Sequence, residues 1–395
     1  MGVLHLEGKG VLDITNKRTS SASHIRNMLD GEFIGSTLHI PVYGNGYIDV
    51  CVESAIKPSK AAANGQSGVY LVRPFIERFR DKPFVVKVYG DIAEGSPDYM
   101  LTYFTQASIL RSVANAATKN RHPNVLPYFG DYYDPEHALA VFALGHVASK
   151  KTVLDALREG CYSFDDVLSL GITLFRTIDD LGKQGIIHRD IKPQNILQPA
   201  DVSNGRILRT YPDQLKLFDF DVAWYGKYVE VDGNRIAGVS GNIIGSPGYI
   251  SPEMWRSESS FKDPKGDVFS ACVTIVETMT GQGAWKGYSN LTDFLLLTSR
   301  AAKKHELPNN LQPFDDVTAQ YGNPGRHVCE ALYGGLRSDP RKRLSAALIA
   351  RLFEDARNEL DAKSKVRIPT TASNVGKADT VYMDAEAAHT ILMEC

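Results

Sequence analysis

The chain opens without a regular hydrophobic period. Across residues 1 to about 55, Gly and Ser mix with short apolar alternations such as Leu38-His39-Ile40-Pro41-Val42, and no helical repeat is present. This stretch is read as an extension of uncertain order. The pattern changes at Gly68. Val69-Tyr70-Leu71-Val72, a gap rich in turn formers, and Phe84-Val85-Val86-Lys87-Val88-Tyr89 are β-branched and aromatic runs of strand length, which predicts two antiparallel strands. Tyr103 to Val113 then sets apolar residues at helical spacing. Asn124-Val125-Leu126-Pro127-Tyr128-Phe129 and Ala138-Leu139-Ala140-Val141-Phe142 read as two further strands. One helix packed on a small sheet is expected.

After Gly145 the period becomes helical. Val167, Leu170, Leu174, Ile178 and Leu181 form one stripe that runs directly into His188. Further helices are predicted from Asp267 to Thr280, Leu291 to Lys304, His327 to Leu336 and Ala346 to Asp361. Beyond Ala362 the chain is polar, rich in small residues and weakly patterned, which reads as a tail. Turn formers at Gly205 and Pro212 predict a looped insertion after the His188 region. The fold class is therefore α+β, a small antiparallel sheet with one main helix followed by an α-rich part. Length agrees, because single cores stop growing near ~250–300 residues and this chain has 395. The predicted divisions are an extension over 1–55, a first lobe over 56–145, a second lobe over 146–361 and a tail over 362–395.

Charge and cysteine content narrow the classes. The 44 basic and 46 acidic side chains nearly cancel, so recognition of nucleic acid or a membrane surface by bulk charge is not expected. Five scattered cysteines (Cys51, Cys161, Cys272, Cys329, Cys395) with no CxxC pair argue against a disulfide framework or a zinc site and for a reducing compartment. No apolar run of about 18 residues and no signal-like N-terminus is present, so a soluble intracellular protein, cytoplasmic or nuclear, is expected. Met1-Gly2 opens like a myristoylation site, but Leu6 stands where that motif takes Ser or Thr.

The chemistry concentrates in His188-Arg189-Asp190-Ile191-Lys192-Pro193-Gln194-Asn195. This run spaces a carboxylate, an ammonium and an amide as phosphoryl transfer from a nucleotide requires. Asp190 is placed to accept the proton of an attacking hydroxyl, Lys192 to neutralise the moving phosphoryl group, and Asn195 to hold a metal through its amide oxygen. Any three of these residue types recur by chance in a charged surface turn; eight consecutive matches do not.

With these residues the chain resembles the eukaryotic-type protein kinase family, in its Ser/Thr branch, over roughly residues 56 to 361. The resemblance implies a bilobal fold, ATP and Mg²⁺ as cofactors, and a protein carrying a Ser or Thr acceptor as partner. It makes Asp190 the base, Lys192 the Ser/Thr-type signature, and Asn195 and Asp219 the metal ligands, the last within Leu217-Phe218-Asp219-Phe220-Asp221. Lys87 is implied as the lysine that holds the nucleotide phosphates. Gly65 and Gly68 lie in Ala63-Asn64-Gly65-Gln66-Ser67-Gly68-Val69-Tyr70, which aligns with the family's Gly-rich loop. A Gly44-Asn45-Gly46 turn lies too far before Lys87 to be that loop. Ala143 and Leu144 fall at the nucleotide-binding hinge near Phe142 to Gly145.

Gly245-Ser246-Pro247-Gly248-Tyr249-Ile250-Ser251-Pro252-Glu253 is similar to the family's peptide-binding loop and APE motif. It implies contacts from Ser246 to Asp190 and Lys192, and a buried structural ion pair between Glu253 and Arg343. Asp267 resembles the helix-start aspartate that fixes the catalytic-loop backbone, which a simple N-cap role would also place there. Arg189 implies pairing with a phosphate on the segment between Asp219 and Glu253, for which Ser240 is the candidate; Asn242 aligns nearer the usual site, and Glu230 or Asp232 is an alternative source of charge.

Two positions depart from the family's pattern. Gln106 stands where the glutamate that pairs with Lys87 is expected, so a hydrogen bond replaces an ion pair. Asp221 stands where the family has glycine, which implies either backbone strain or an extra carboxylate for metal. These departures keep open an impaired pseudokinase that acts as a binding scaffold, and a small-molecule phosphotransferase is a third class. The presence of Lys87, Asp190, Asn195 and Asp219 together favours an ATP-dependent Ser/Thr protein kinase.

Overall fold

The computed structural model describes residues 37–42, 46–57, 67–75, 82–89, 97–115, 121–134, 139–146, 150–226, 229–231, 234–236, 245–246, 248–255, 263–281 and 315–365. These fall into two compact units, one containing the described residues up to His146 and the other those from Lys150. Among the described residues, no helix is long and apolar enough to cross a membrane.

In the first unit, strands β1 (Thr37–Val42), β2 (Gly46–Lys57), β3 (Ser67–Pro74), β4 (Phe84–Tyr89), β5 (Tyr128–Asp134) and β6 (Leu139–Leu144) form one sheet in the order β1-β2-β3-β4-β6-β5. All its pairings are antiparallel. The edge strand β1 comes back against β5, so the sheet curls toward closure and shelters its edges. Register then decides which side chains are enclosed, because paired residues share a face. Val52 pairs with Val72, Tyr70 with Val86 and Val86 with Ala143, and all of them are buried. The opposite face carries Val69, Lys87 and Phe142, and α1 (Pro97–Val113) packs there, with the Tyr103 ring 5.2 Å from that of Phe142.

Two expectations change. The sheet takes in strands from Thr37 onward, so the boundary expected at residue 56 falls inside β2. The alternation at Leu38, Ile40 and Val42 is a genuine strand signal. Residues 43–45 lie outside the described residues; on either side of them Val42 pairs with Gly46. The strand expected over 124–129 begins only at Tyr128. Pro127 has no N–H to give to a ladder, and the stretch before it turns back on itself, the Asn124 N–H donating to His122 Nδ1 at 3.1 Å and the Val125 N–H to His122 O at 3.2 Å.

The second unit is built on helices with clear start signals. Strand β7 (Lys150–Thr152) leads into α2 (Val153–Arg158), and α3 (Phe164–Lys183) follows. Both helices begin with a capping box, Thr152 with Asp155 and Ser163 with Asp166. The predicted stripe of Val167, Leu170, Leu174, Ile178 and Leu181 is buried along α3. It packs on the C-terminal helix (Ala346–Lys365), where Phe175 meets Phe353 at 5.8 Å between ring centroids. Gly171 lies directly under the Phe353 ring, which a Cβ there would overlap.

Between α3 and the C-terminal helix come β8 (Ile186–Ile187), β9 (Ile196–Ser203), β10 (Arg206–Thr210), β11 (Lys216–Leu217), β12 (Trp224–Tyr225), β13 (Val229–Val231) and β14 (Asn234–Ile236). They are followed by α4 (Pro252–Trp255), α5 (Lys265–Thr280), α6 (Asp315–Tyr321) and α7 (Asn323–Gly335), which makes the C-terminal helix α8. Helix α5 is buried continuously from Asp267 to Thr278 and forms the centre of the unit. The helix predicted over 291–304 lies outside the described residues, and α8 continues past residue 361 to Lys365.

The looped insertion expected near Gly205 is an ordered hairpin of β9 and β10. Asn204 and Gly205 form its two-residue turn with φ of 51° and 78°, the left-handed pair that an Asn-Gly dipeptide adopts most easily.

Phe353→Ala should lower the unfolding free energy by about 3–5 kcal/mol, because it empties the space between α3 and α8 that no neighbour can refill. Urea unfolding of the full chain measures this; a loss below about 1 kcal/mol would mean that the ring does not anchor the two helices.

Candidate active site

Helix α3 ends at Lys183, and Gly185, with a φ of 77°, turns the chain into β8 and so into His188. The loop that follows is held by its backbone. The N–H groups of His188 and Arg189 donate to Asp267 Oδ2 and Oδ1 at 2.7 and 2.8 Å. Asp267 is not an N-cap: α5 starts at Lys265 after Pro264, and the carboxylate turns away from its own helix toward the loop. Burial raises the Asp267 carboxyl above its ordinary range, while His188, Arg189 and the two N–H bonds pull it down. Arg189 is held at a φ of 66°, a conformation that costs a non-glycine residue about 1–3 kcal/mol.

His188 is fully buried and joins two strands. Its Nδ1 accepts the Asp190 N–H at 3.3 Å, so the proton of a neutral ring sits on Nε2, which donates to Phe218 O at 3.0 Å. The ring also lies 4.7 Å from that of Phe220. The Phe218 N–H returns a bond to Asn195 O at 3.2 Å. The end of β11 that carries Asp219 is thereby fixed beside the turn that carries Asn195.

Around Asp190 the side chains converge. Lys192 Nζ donates to Asp190 Oδ2 at 2.7 Å and to Ser246 Oγ at 2.5 Å. Asn195 Nδ2 donates to Asp190 Oδ2 and to Asp190 O, both at 2.9 Å. One carboxylate oxygen is thus doubly engaged. The other, Oδ1, has no hydrogen-bond partner among the described residues. Ser246 reaches Asp190 through Lys192 and not directly. Because Asn195 spends its amide nitrogen on Asp190, its amide oxygen is the atom left for a cation. Asn195 and Asp219 offer hard oxygen donors of the kind Mg²⁺ takes beside phosphate oxygens and water.

Asp221 shows no strain. Among the described non-glycine residues, positive φ occurs at Arg189, Asn204 and Asp219 (69°), and Asp221 is not one of them. Of the two consequences expected from losing the glycine, the strained one is absent.

The Ser246 segment is held against the same loop. Gly245 has a φ of 122°, and a Cβ there would come 2.7 Å from Arg189 O. Farther on, Glu253 and Arg343 form a bidentate pair, Nη1 to Oε1 at 2.7 Å and Nη2 to Oε2 at 2.8 Å, with neither side chain exposed. Arg343 also donates to Lys265 O and Arg337 O and lies over the Phe269 ring, so its charge is fully partnered.

In the first unit the structure gathers a separate set. Lys87 Nζ lies 4.9 Å from the centre of the Tyr89 ring, and the Tyr89 hydroxyl donates to Gln106 Oε1 at 3.3 Å. Gln106 is buried on α1. Ala143 is buried and Leu144 half-buried at the end of β6. A Cβ at Gly68 would run into the Tyr70 ring, so glycine is required there by packing whatever else it does. Gly65 and Ser240 lie outside the described residues. Sequence reasoning passed over Gln194 and Tyr249 as individual residues. Both lie inside the two motifs, and nothing in their own sequence neighbourhood singles them out.

Comparison with known proteins agrees with this geometry. The family profile described as "protein kinase domain" matches residues 71–352. A probable serine/threonine-protein kinase of Clostridium perfringens is 26% identical over 231 residues, 58% of this chain and 29% of the relative. Serine/threonine-protein kinase PknL of Mycobacterium tuberculosis is 26% identical over 281 residues, 70% of this chain and 63% of the relative. Serine/threonine-protein kinase chk1 of Schizosaccharomyces pombe is 25% identical over 228 residues, 57% and 39% respectively. The chain thus spans less than two thirds of these curated relatives.

Arg343→Ala strands Glu253 as a buried, unpaired carboxylate and should cost about 3–5 kcal/mol. Thermal and urea unfolding check this. A variant as stable as the wild type would remove the pair from the structural frame of the site.

Proposed function

This chain belongs to the protein kinase family, and on that footing we propose that it transfers the γ-phosphoryl group of ATP to Ser or Thr hydroxyls of protein substrates. The single observation that carries the reading is the Asp190 carboxylate with one oxygen bound by Lys192 and Asn195 and the other unengaged. A general base needs that asymmetry. The engaged oxygen fixes the orientation of the group, and the unengaged one is the acceptor for the hydroxyl proton.

Lys192 lies between this carboxylate and the Ser246 segment. There its ammonium offsets negative charge that develops on the transferring group, with no reorganisation needed during the reaction. Asn195 and Asp219 are the proposed metal ligands, and Lys87 the proposed cation for the nucleotide phosphates. Bound Mg²⁺ supplies the charge that neutralises the phosphate oxygens. A protein acceptor is supported by the ordered segment from Gly248 to Glu253, anchored by the Arg343 pair. A Ser or Thr acceptor is supported by Lys192 two residues after Asp190 and by the names of the relatives, each a serine/threonine-protein kinase.

One observation favours the second reading, a pseudokinase scaffold. Gln106 offers an amide where a carboxylate would hold Lys87, and a neutral bond is roughly half as strong as a charge-assisted one. The same observation is compatible with a slow but competent enzyme.

Labelled γ-phosphate from Mg-ATP, offered with a Ser/Thr peptide library, separates the readings. Transfer by the wild type should fall about 10²–10⁴-fold in Asp190→Asn, the usual worth of a positioned base, and fall similarly in Asp219→Ala. Gln106→Glu should raise it. Equal transfer by wild type and Asp190→Asn would sink the assignment, and no transfer by the wild type even after activating phosphorylation would favour the scaffold.

A further inference from the structure

Asp131, in the middle of β5, is an enclosed carboxylate that the proposed chemistry does not use. Its side chain is 2% exposed. Oδ1 accepts the Tyr128 hydroxyl and also Arg111 Nε and Nη2, the last two at 3.2 and 2.8 Å. Oδ2 accepts the Tyr103 hydroxyl and Arg111 Nη2, the latter at 2.8 Å. All three partners donate, which suits a group that only accepts; an amide here would have to turn its own N–H groups toward one of them. The guanidinium and the two hydroxyls together offset the cost of enclosing the charge.

Two of the three donors come from α1. Tyr103 and Arg111 stand eight residues apart, about 12 Å along the axis at 1.5 Å per residue, yet both side chains reach the same carboxylate. The residue midway between them is Ala107, small and fully buried. A helix held by one side chain is free to slide or pivot, whereas one held from two separate turns toward a single point is not. The main chain fixes the C-terminal end as well, where the Tyr128 N–H donates to Ala114 O at 2.8 Å. Tyr103 carries the hold about two turns farther back.

Strand register shows what this hold governs. Asp131 pairs with Phe142 and Phe142 with Lys87, so Asp131 and Lys87 lie in one row on the face that α1 covers. The Phe142 ring between them meets the Tyr103 ring at 5.2 Å and the Tyr89 ring at 5.7 Å. Gln106 stands on α1 between Tyr103 and Arg111. Its Oε1 accepts the Tyr89 hydroxyl, and the Tyr89 ring faces Lys87 Nζ. Where α1 is held at Asp131 therefore sets where Gln106 meets Tyr89.

We propose that Asp131 is a positioning residue for phosphoryl transfer: by holding Tyr103 and Arg111 it sets α1, and through Gln106 and Tyr89 it sets Lys87. It touches neither reactant. The inference rests on the kinase reading given above, in which Lys87 is the cation for the nucleotide phosphates, and it names the group that places that cation.

The test measures transfer from Mg-ATP to a Ser/Thr peptide by the full-length wild type, Tyr103→Phe, Arg111→Met, Tyr128→Phe and Asp131→Asn. Tyr103→Phe and Arg111→Met remove the donors of α1 and keep most of their bulk. Each should lower kcat/KM for Mg-ATP about tenfold, less than the roughly 10²-fold that a 1 Å misplacement costs, and leave the peptide KM within about twofold. Tyr128→Phe removes a donor to the same carboxylate from β5 itself, so it should leave both constants within about twofold. Asp131→Asn should lose the most; Arg111, which is half-exposed, gives a variant whose folding is not at risk.

Gln106→Glu supplies the readout that a merely structural cluster would not move. It gives α1 a charge toward Lys87, and in Arg111→Met it should raise kcat/KM at least about threefold more than it does in the wild type. Equal losses in Tyr128→Phe and Arg111→Met would reduce the cluster to a stabiliser of the sheet and overturn the proposal. Unchanged kinetics in all four variants, or a Gln106→Glu gain no larger than in the wild type, would overturn it too. Each of these leaves the kinase reading standing, whereas a wild type that transfers no phosphate overturns both.

Discussion

The Asp267 carboxylate, accepting the backbone N–H groups of two successive loop residues, is the interaction on which the rest of the site depends. A loop that must present Asp190, Lys192 and Asn195 in fixed mutual geometry cannot rely on its own side chains, because those are committed to chemistry. It is anchored through peptide groups to a helix that is itself buried along most of its length. The cost is a buried charge and a left-handed Arg189. Both are tolerable because two N–H donors and two neighbouring cationic or potentially cationic residues compensate the carboxylate.

The same logic extends outward from the loop. His188 uses both ring nitrogens, one toward the backbone of Asp190 and one toward Phe218, so that the tautomer and the spacing of the two strands fix each other. Gly245 admits the Ser246 segment against Arg189 O, where any side chain would collide. Glu253 and Arg343 hold the far end of that segment. Enclosed oxygens without a partner among the described residues remain in this frame at Asp190 Oδ1, Gln194 Oε1 and Ser251 Oγ.

Much of this was legible in the sequence because short motifs encode local geometry. The α3 stripe follows from helical spacing and the His188 to Asn195 run from its own residues, whereas the pairing of Glu253 with Arg343 was implied by the resemblance to the family. What was not legible depended on partners far along the chain. The strands β1 and β2 carry weak alternation and acquire meaning only through pairing and through the approach of β1 to β5. The 124–129 stretch looked like a strand by composition, yet the N–H groups of Asn124 and Val125 turn back onto His122 and Pro127 has none to give. The β9–β10 hairpin was read as a loop although Asn204-Gly205 is a strong turn signal between β-compatible residues.

The two departures from the family pattern carry different weights once geometry is considered. Asp221 replaces a glycine at a position whose backbone does not require one, and the left-handed conformation falls instead on Asp219. Nothing in the backbone therefore opposes the carboxylate being there. Gln106 is buried, and the Tyr89 hydroxyl donates to its oxygen while the Lys87 ammonium lies over the Tyr89 ring. A carboxylate at 106 would strengthen the field at Lys87 but would have to be buried beside the same phenol. A neutral amide meets that environment at lower desolvation cost. The first unit thus sets a buried, uncharged amide beside the phenol that faces Lys87, while the second gathers Lys192 and Asn195 on one oxygen of Asp190.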